Sequence, residues 1–265
     1  MAVLKTDMKW RKPSTVATSF ATSSVGGAKT GTNLVSAADD EIFFSTNAEA
    51  AGGSSVTQYG KVFLANTHAT DAASGLGAWI ANALDTPSAA ASMKFVSSDA
   101  ADSSSYKIRI KGYNSGGTVV TEDRTLNGTS EVTSSTSFSV TSSRNVTCEF
   151  IDDAGARANA VGTITITHGS TVIGVIPAGG SMAMTGLSIG RTSDVDDTQT
   201  IADASTAPSG VSFSVANAAG EKILVDAGSG DLAAGEAQGY WLKLVLTPAQ
   251  PAVSPFQVAL QAAGA

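Results

Sequence analysis

The chain has a single cysteine, Cys148, so no internal disulfide can form. A protein of 265 residues built without disulfides suits a reducing compartment, and folding in a reducing cytosol is expected. Histidine is nearly absent: His68 and His168 leave little room for a Ser–His–Asp arrangement, and no Gly-x-Ser-x-Gly elbow occurs. Charge is sparse at 15% of residues, and the positive sign is the scarcer one, giving a net charge of −7 and a pI near 4.7. Such a balance disfavours a surface that tracks phosphates, so nucleic acid is not an expected partner. Long apolar runs are also missing. Nothing reaches the length of a membrane span, and the segment Met1 to Pro13 lacks the apolar core of a secretion signal.

What is abundant is small and polar. Gly, Ser, Thr, Ala and Asn dominate beside an apolar fraction of 42%, a mixture that suits closely spaced strands and turns better than helical bundles. The clearest β pattern is Tyr106 to Lys111, where Tyr106, Ile108 and Ile110 alternate with Lys107, Arg109 and Lys111. Asn114-Ser-Gly-Gly117 and Asn127-Gly128 read as hairpin turns. Phe138–Val140, Val146–Phe150, Gly162–Ile166 and Val172–Ile176 continue at short, regular spacing, the rhythm of a small sandwich or barrel.

Around this block stand strands of a different texture. Val62–Asn66, Gly77–Ile80 and Met93–Val96 precede it; Val211–Val215, Glu221–Val225, Tyr240–Leu246 and Pro255–Leu260 follow. The run Tyr240-Trp-Leu-Lys-Leu-Val-Leu246, entered through the Gly235-Glu236 turn and stopped by Pro248, reads as a buried strand with Trp241 in a core. The expected architecture is therefore all-β: a jelly-roll-like β-sandwich host (residues 39–103 and 193–265) carrying an inserted smaller β-sandwich (104–192). Ser97 to Ser105, small and polar throughout, marks the expected boundary.

Residues 1–38 show no periodicity fit for a core, yet carry Lys9, Trp10, Arg11, Lys12 and Phe20. These five residues are the candidate partner-binding set, on an extended N-terminal arm that orders on a neighbouring subunit. No catalytic, metal or cofactor site is expected. Cys148 reads as a buried core thiol, and the acidic loop Asp194-Val-Asp196-Asp197 as solvated, lacking the glycine and terminal glutamate of a helix-loop-helix calcium site. Gly228-Ser-Gly230 has no helix after it to cradle phosphate, and the Asn-x-Thr matches at Asn127 and Asn145 carry no weight without a secretory route.

Two stretches carry a resemblance. One is Tyr59-Gly-Lys-Val-Phe-Leu-Ala-Asn-Thr67 with Gly77-Ala-Trp-Ile80, Leu232-Ala-Ala-Gly-Glu236, Gly239-Tyr-Trp-Leu-Lys243 and Phe256-Gln-Val258. The other is Ile108-Arg-Ile-Lys-Gly112 with Gly117-Thr-Val-Val-Thr-Glu122, Leu126-Asn-Gly-Thr129 and Gly162-Thr-Ile-Thr-Ile166. Together they resemble the β modules of structural proteins in tailed-bacteriophage particles. That resemblance implies a non-enzymatic virion component, first of all a capsid decoration or cement protein. Its partners would be the major capsid protein or other virion proteins, and further copies of itself. A tail, collar or fibre component is the alternative, and a bacterial surface adhesin a more distant one.

Overall fold

The computed structural model describes residues 5–16, 23–34, 42–43, 55–87, 89–247 and 258–264. The chain is all-β, and the described helical segments are single 3-10 turns such as Lys5–Asp7. The strands run in order β1 (Met8–Thr15), β2 (Val25–Asn33), β3 (Val56–Asn66), β4 (Gly77–Ile80), β5 (Ala91–Ser97) and β6 (Tyr106–Asn114). Next come β7 (Val119–Thr125), β8 (Val132–Ser139), β9 (Thr147–Asp152), β10 (Ile164–His168), β11 (Thr171–Ile176) and β12 (Met182–Met184). The last are β13 (Leu187–Val195), β14 (Thr200–Ile201), β15 (Ile223–Leu224), β16 (Ala237–Leu246) and β17 (Leu260–Ala263).

They form three sheets. A six-stranded sheet has the order β13-β16-β3-β1-β2-β14 and faces a three-stranded sheet, β15-β4-β17. Strand β16 pairs with β3 from Ala237↔Ala65 to Leu246↔Val56 and with β13 on its other side. Its alternation sends Tyr240, Leu242 and Leu244 into the core between the two sheets, with Val62, Leu64, Leu187 and Ile189. There the Tyr240 hydroxyl donates to the Ile223 carbonyl at 2.9 Å, tying one sheet to the other. The opposite face buries Trp241 and Tyr59 under Val25, Ile201 and Ala204. Both faces of β16 are covered, as its unbroken apolar run demands, and Trp241 is wholly buried.

The remaining eight strands, ordered β11-β10-β5-β8-β6-β9-β12 with β7 on β6, make one sheet curled around a second core. The curl is closed in part by a side chain: the Glu122 carboxylate on β7 accepts the Ser135 and Thr136 N–H groups of β8 at 2.7 and 2.9 Å. Strand β5, expected in the host, belongs here, paired to β8 and β10. Strand β13, whose residues Leu187 to Thr192 were expected in the insert, pairs with β16 in the host sheet.

The chain crosses between the two cores at Ala83–Leu84 and returns at Ala183–Met184, with Leu84 N–H donating to Met184 O at 2.8 Å. The small polar stretch read as a linker is instead a loop inside the second unit. The Asp102 carboxylate, fully buried, accepts the Val161 and Gly162 N–H groups at 2.9 Å and the Ser97 hydroxyl at 2.7 Å. Small residues are needed there because backbones touch: a Cβ on Gly162 would lie 2.6 Å from Asp99 N. The units are also joined beyond the crossings. Asn145 Nδ2 donates to Val245 O, and Asn82 Nδ2 to Met182 O at 3.3 Å.

Candidate functional site

The amino-terminal segment departs most from expectation. It forms no detached arm over its described residues. β1 pairs with β3 from Met8↔Asn66 to Arg11↔Phe63, and β2 folds back on β1 and meets β14. The physical reason is a short alternation. Met8 and Trp10 pack on the host core, Trp10 edge-on to Tyr240 with ring centroids 6.2 Å apart, while Lys9 and Arg11 fall on the other face. Of the five candidate binding residues, Trp10 is thus an internal anchor and Lys9, Arg11 and Lys12 are half-buried on β1. Phe20 lies outside the described residues.

Arg11 meets a residue not singled out in the sequence, Lys29 on β2. The two side chains line a pocket of about 290 Å³ with Thr30, Gly31, Ala65, Asn66, Thr67 and Gly235. One Arg11 Nη donates to the Gly31 carbonyl. Lys29 Nζ donates to the Gly235 carbonyl and lies 2.7 Å from Asp196 Oδ1. The floor, Ala65, belongs to a small buried group with Phe63 and Ala237. The pocket therefore has an apolar base and two cations at its wall.

Beneath the hairpin sits a third cation, fully enclosed. Lys61 on β3 is 1% exposed. Its ammonium donates to the carbonyls of Gly27, Asp197 and Gln199 at 3.1 Å and to Asp197 Oδ2 at 2.7 Å. It also lies 4.9 Å from the Phe63 ring centre and 5.4 Å from that of Trp241. Burial lowers the Lys61 pKa from the usual lysine value, partly offset by the Asp197 carboxylate. Gly26 and Gly27 make the approach feasible. Both have positive φ (+111° and +82°), and a Cβ on Gly26 would lie 2.5 Å from Gln199 O and 3.0 Å from the Trp241 ring.

Other reactive side chains are occupied structurally. Cys148 is buried, as expected, and burial pushes its thiol pKa far up, away from the reactive thiolate. His168 Nε2 lies 2.8 Å from Phe138 O in the second core, and His68 Nδ1 accepts the Asp71 N–H at 3.0 Å. The acidic loop holds protein cations rather than standing free in solvent, Asp196 on Lys29 and Asp197 on Lys61. Among the described residues no three His, Cys, Asp or Glu side chains converge as a metal site.

Charge is divided unevenly along the chain. Residues 1–38 hold five of the 16 basic residues (Lys5, Lys9, Arg11, Lys12, Lys29) and one of the 23 acidic ones, Asp7. They carry +4, and the remainder, with 11 basic and 22 acidic residues, carries −11. No family model, curated protein or solved structure matches the chain.

Lys61 and Lys29 went unmarked in the sequence because each lies in a stretch with another explanation. Lys61 interrupts Tyr59-Gly-Lys-Val-Phe-Leu64, where one polar residue in a hydrophobic strand reads as a solvent-facing position. The usable signal was the absence of alternation in Val62-Phe-Leu-Ala65 beside it, and in the structure β3 is buried from Gln58 to Asn66.

Proposed function

We propose that the chain is a non-enzymatic structural component of a tailed-bacteriophage particle, assembled in the host cytoplasm. Its most fitting place is as a decoration or cement protein on the head lattice. The observation that carries this reading is the cationic hairpin β1–β2 built into the sheet of an otherwise acidic body. Such an asymmetry suits a protein that must approach a partner in one orientation, because complementary fields steer and select the encounter. The rest of the molecule supports a building-block role. Two cores are joined by adjacent crossings and by side-chain bonds from Asn145 and Asn82, an arrangement suited to bearing load without opening. Buried charge holds neighbouring segments together, in the Lys61–Asp197 pair and in Glu149 between Lys111 and Arg157. The attachment face would be the hairpin surface around Arg11 and Lys29, with the major capsid protein or further virion subunits, including copies of this chain, as partners.

The reading is tested by mixing the purified full chain with particles that lack it and sedimenting them. Saturable co-sedimentation at a fixed ratio to the major capsid protein is expected. Absence of binding to heads, with binding to isolated tails, would move the protein to the tail.

A further inference from the structure

The pocket beside the hairpin has a charge balance that selects its ligand. Arg11 and Lys29 contribute two positive charges, and Asp196, 2.7 Å from Lys29, returns one negative. Among the described residues that line it or touch its cations, one positive charge is left over. Arg11 lines the pocket and makes a single hydrogen bond among the described residues, to Gly31, which leaves most of its five N–H donors for a ligand or solvent. A planar guanidinium with free donors matches a carboxylate through two parallel bonds.

We propose that this pocket receives one carboxylate side chain from an acidic segment of a neighbouring virion protein, gripped by Arg11 and flanked by Lys29. The proposal rests on the attachment reading above and names the chemistry of the partner. A singly charged carboxylate neutralises the site. A phosphate dianion would overcompensate it and be repelled by Asp196, which sits on Lys29. The apolar base at Ala65 and the cavity of about 290 Å³ leave room for the methylene stem of a glutamate behind its charged end.

The test uses the full chain and a capped hexaglutamate peptide as probe, with inorganic phosphate as the rival anion. At low ionic strength the wild type should bind the peptide saturably, with amide shifts concentrated at Gly31, Asn66, Thr67 and Gly235. Arg11→Gln, which keeps a donor for Gly31, should bind at least tenfold more weakly with an unchanged melting temperature. Arg11→Lys should fall between, because the charge remains and the paired donors do not. Equal binding by Arg11→Gln, shifts elsewhere on the protein, or equally tight binding of phosphate would overturn the carboxylate site. Arg11-dependent self-association without peptide binding would overturn the choice of occupant. The two claims separate cleanly: particles that still take up Arg11→Gln, alongside a wild type that ignores the peptide, overturn the pocket and leave the structural role standing. A wild type that binds the peptide but no particle does the reverse.

Discussion

Lys61 and Asp197, 136 positions apart, meet at 2.7 Å beneath the amino-terminal hairpin, the lysine side chain wholly buried and the aspartate 19% exposed. Through this pair and the Gly27 carbonyl, three segments are fixed at one point: β2, β3 and the loop before β14. Removing the ammonium would leave the Asp197 carboxylate with the Gln199 N–H at 3.1 Å, the Gln199 carbonyl with the Gly27 N–H at 2.9 Å, and take from the Gly27 and Asp197 carbonyls the donor they share. Lys61→Met should therefore cost roughly 3–5 kcal/mol, the range for breaking a buried ion pair by deleting one partner. Chemical denaturation measures it. A loss under about 1 kcal/mol would mean that water replaces the ammonium at little cost.

The hairpin is part of the host fold, so its deletion should be felt there. Removing residues 2–34 strips β1 from the edge of β3 and uncovers Trp241 at Gly26. The host sandwich should lose its cooperative melting transition, while the second core, which contains no residue before Leu84, keeps its own. Two transitions by calorimetry in the full chain and one in the truncated chain would bear this out. An unchanged host transition would restore the detached arm.

Residues 84–185 contain every buried member of the second core and should fold alone. The shorter piece 104–192 omits β5, and with it Met93 and Phe95 and the pairing partner of both β8 and β10. Dispersed amide spectra are expected for 84–185 and collapsed ones for 104–192. The opposite ranking would place the boundary in the Ser97–Ser105 loop after all.

The strands whose pattern is long, such as β6 and β16, were legible, because burial on one face writes an alternation at period two and burial on both writes an unbroken apolar run. Legibility failed where glycine replaced that pattern. Val25-Gly-Gly-Ala-Lys-Thr-Gly contains a strand whose partners require backbone contact, and side-chain absence is what makes it fit. The boundary at Ser97–Ser105 failed for a related reason: Asp102 organises small residues into a packed loop, and composition cannot distinguish that from a linker. Of the candidate site, Arg11 was legible as a cation near the start. The place of Lys29 beside it was not, since Lys29 is held by the Gly235 carbonyl and a contact spanning 206 positions leaves no local trace.

Acid should weaken the second unit through Glu149. Burial alone would raise its pKa, but Lys111 and Arg157, each 2.7 Å away, hold it below the ordinary glutamate value. A depressed folded pKa means the pairing contributes fully above the unfolded value, about 4.3, and is lost as pH falls through the folded one. Asp123, held low by Arg109, acts in the same direction. Glu149→Gln should thus be less stable at pH 7 by about 1–3 kcal/mol, with the gap to wild type closing below about pH 4. A gap independent of pH would assign the loss to packing instead of charge.

The central claim is that this chain is built into a phage particle, and imaging purified particles at subnanometre resolution tests it most directly. The account predicts density on the outer face of the head that fits both β units, with the β1–β2 hairpin toward the capsid lattice. Particles of full composition and infectivity from a phage in which the coding sequence of this chain is deleted, with no density in unaltered particles that accommodates it, would be the contradicting result.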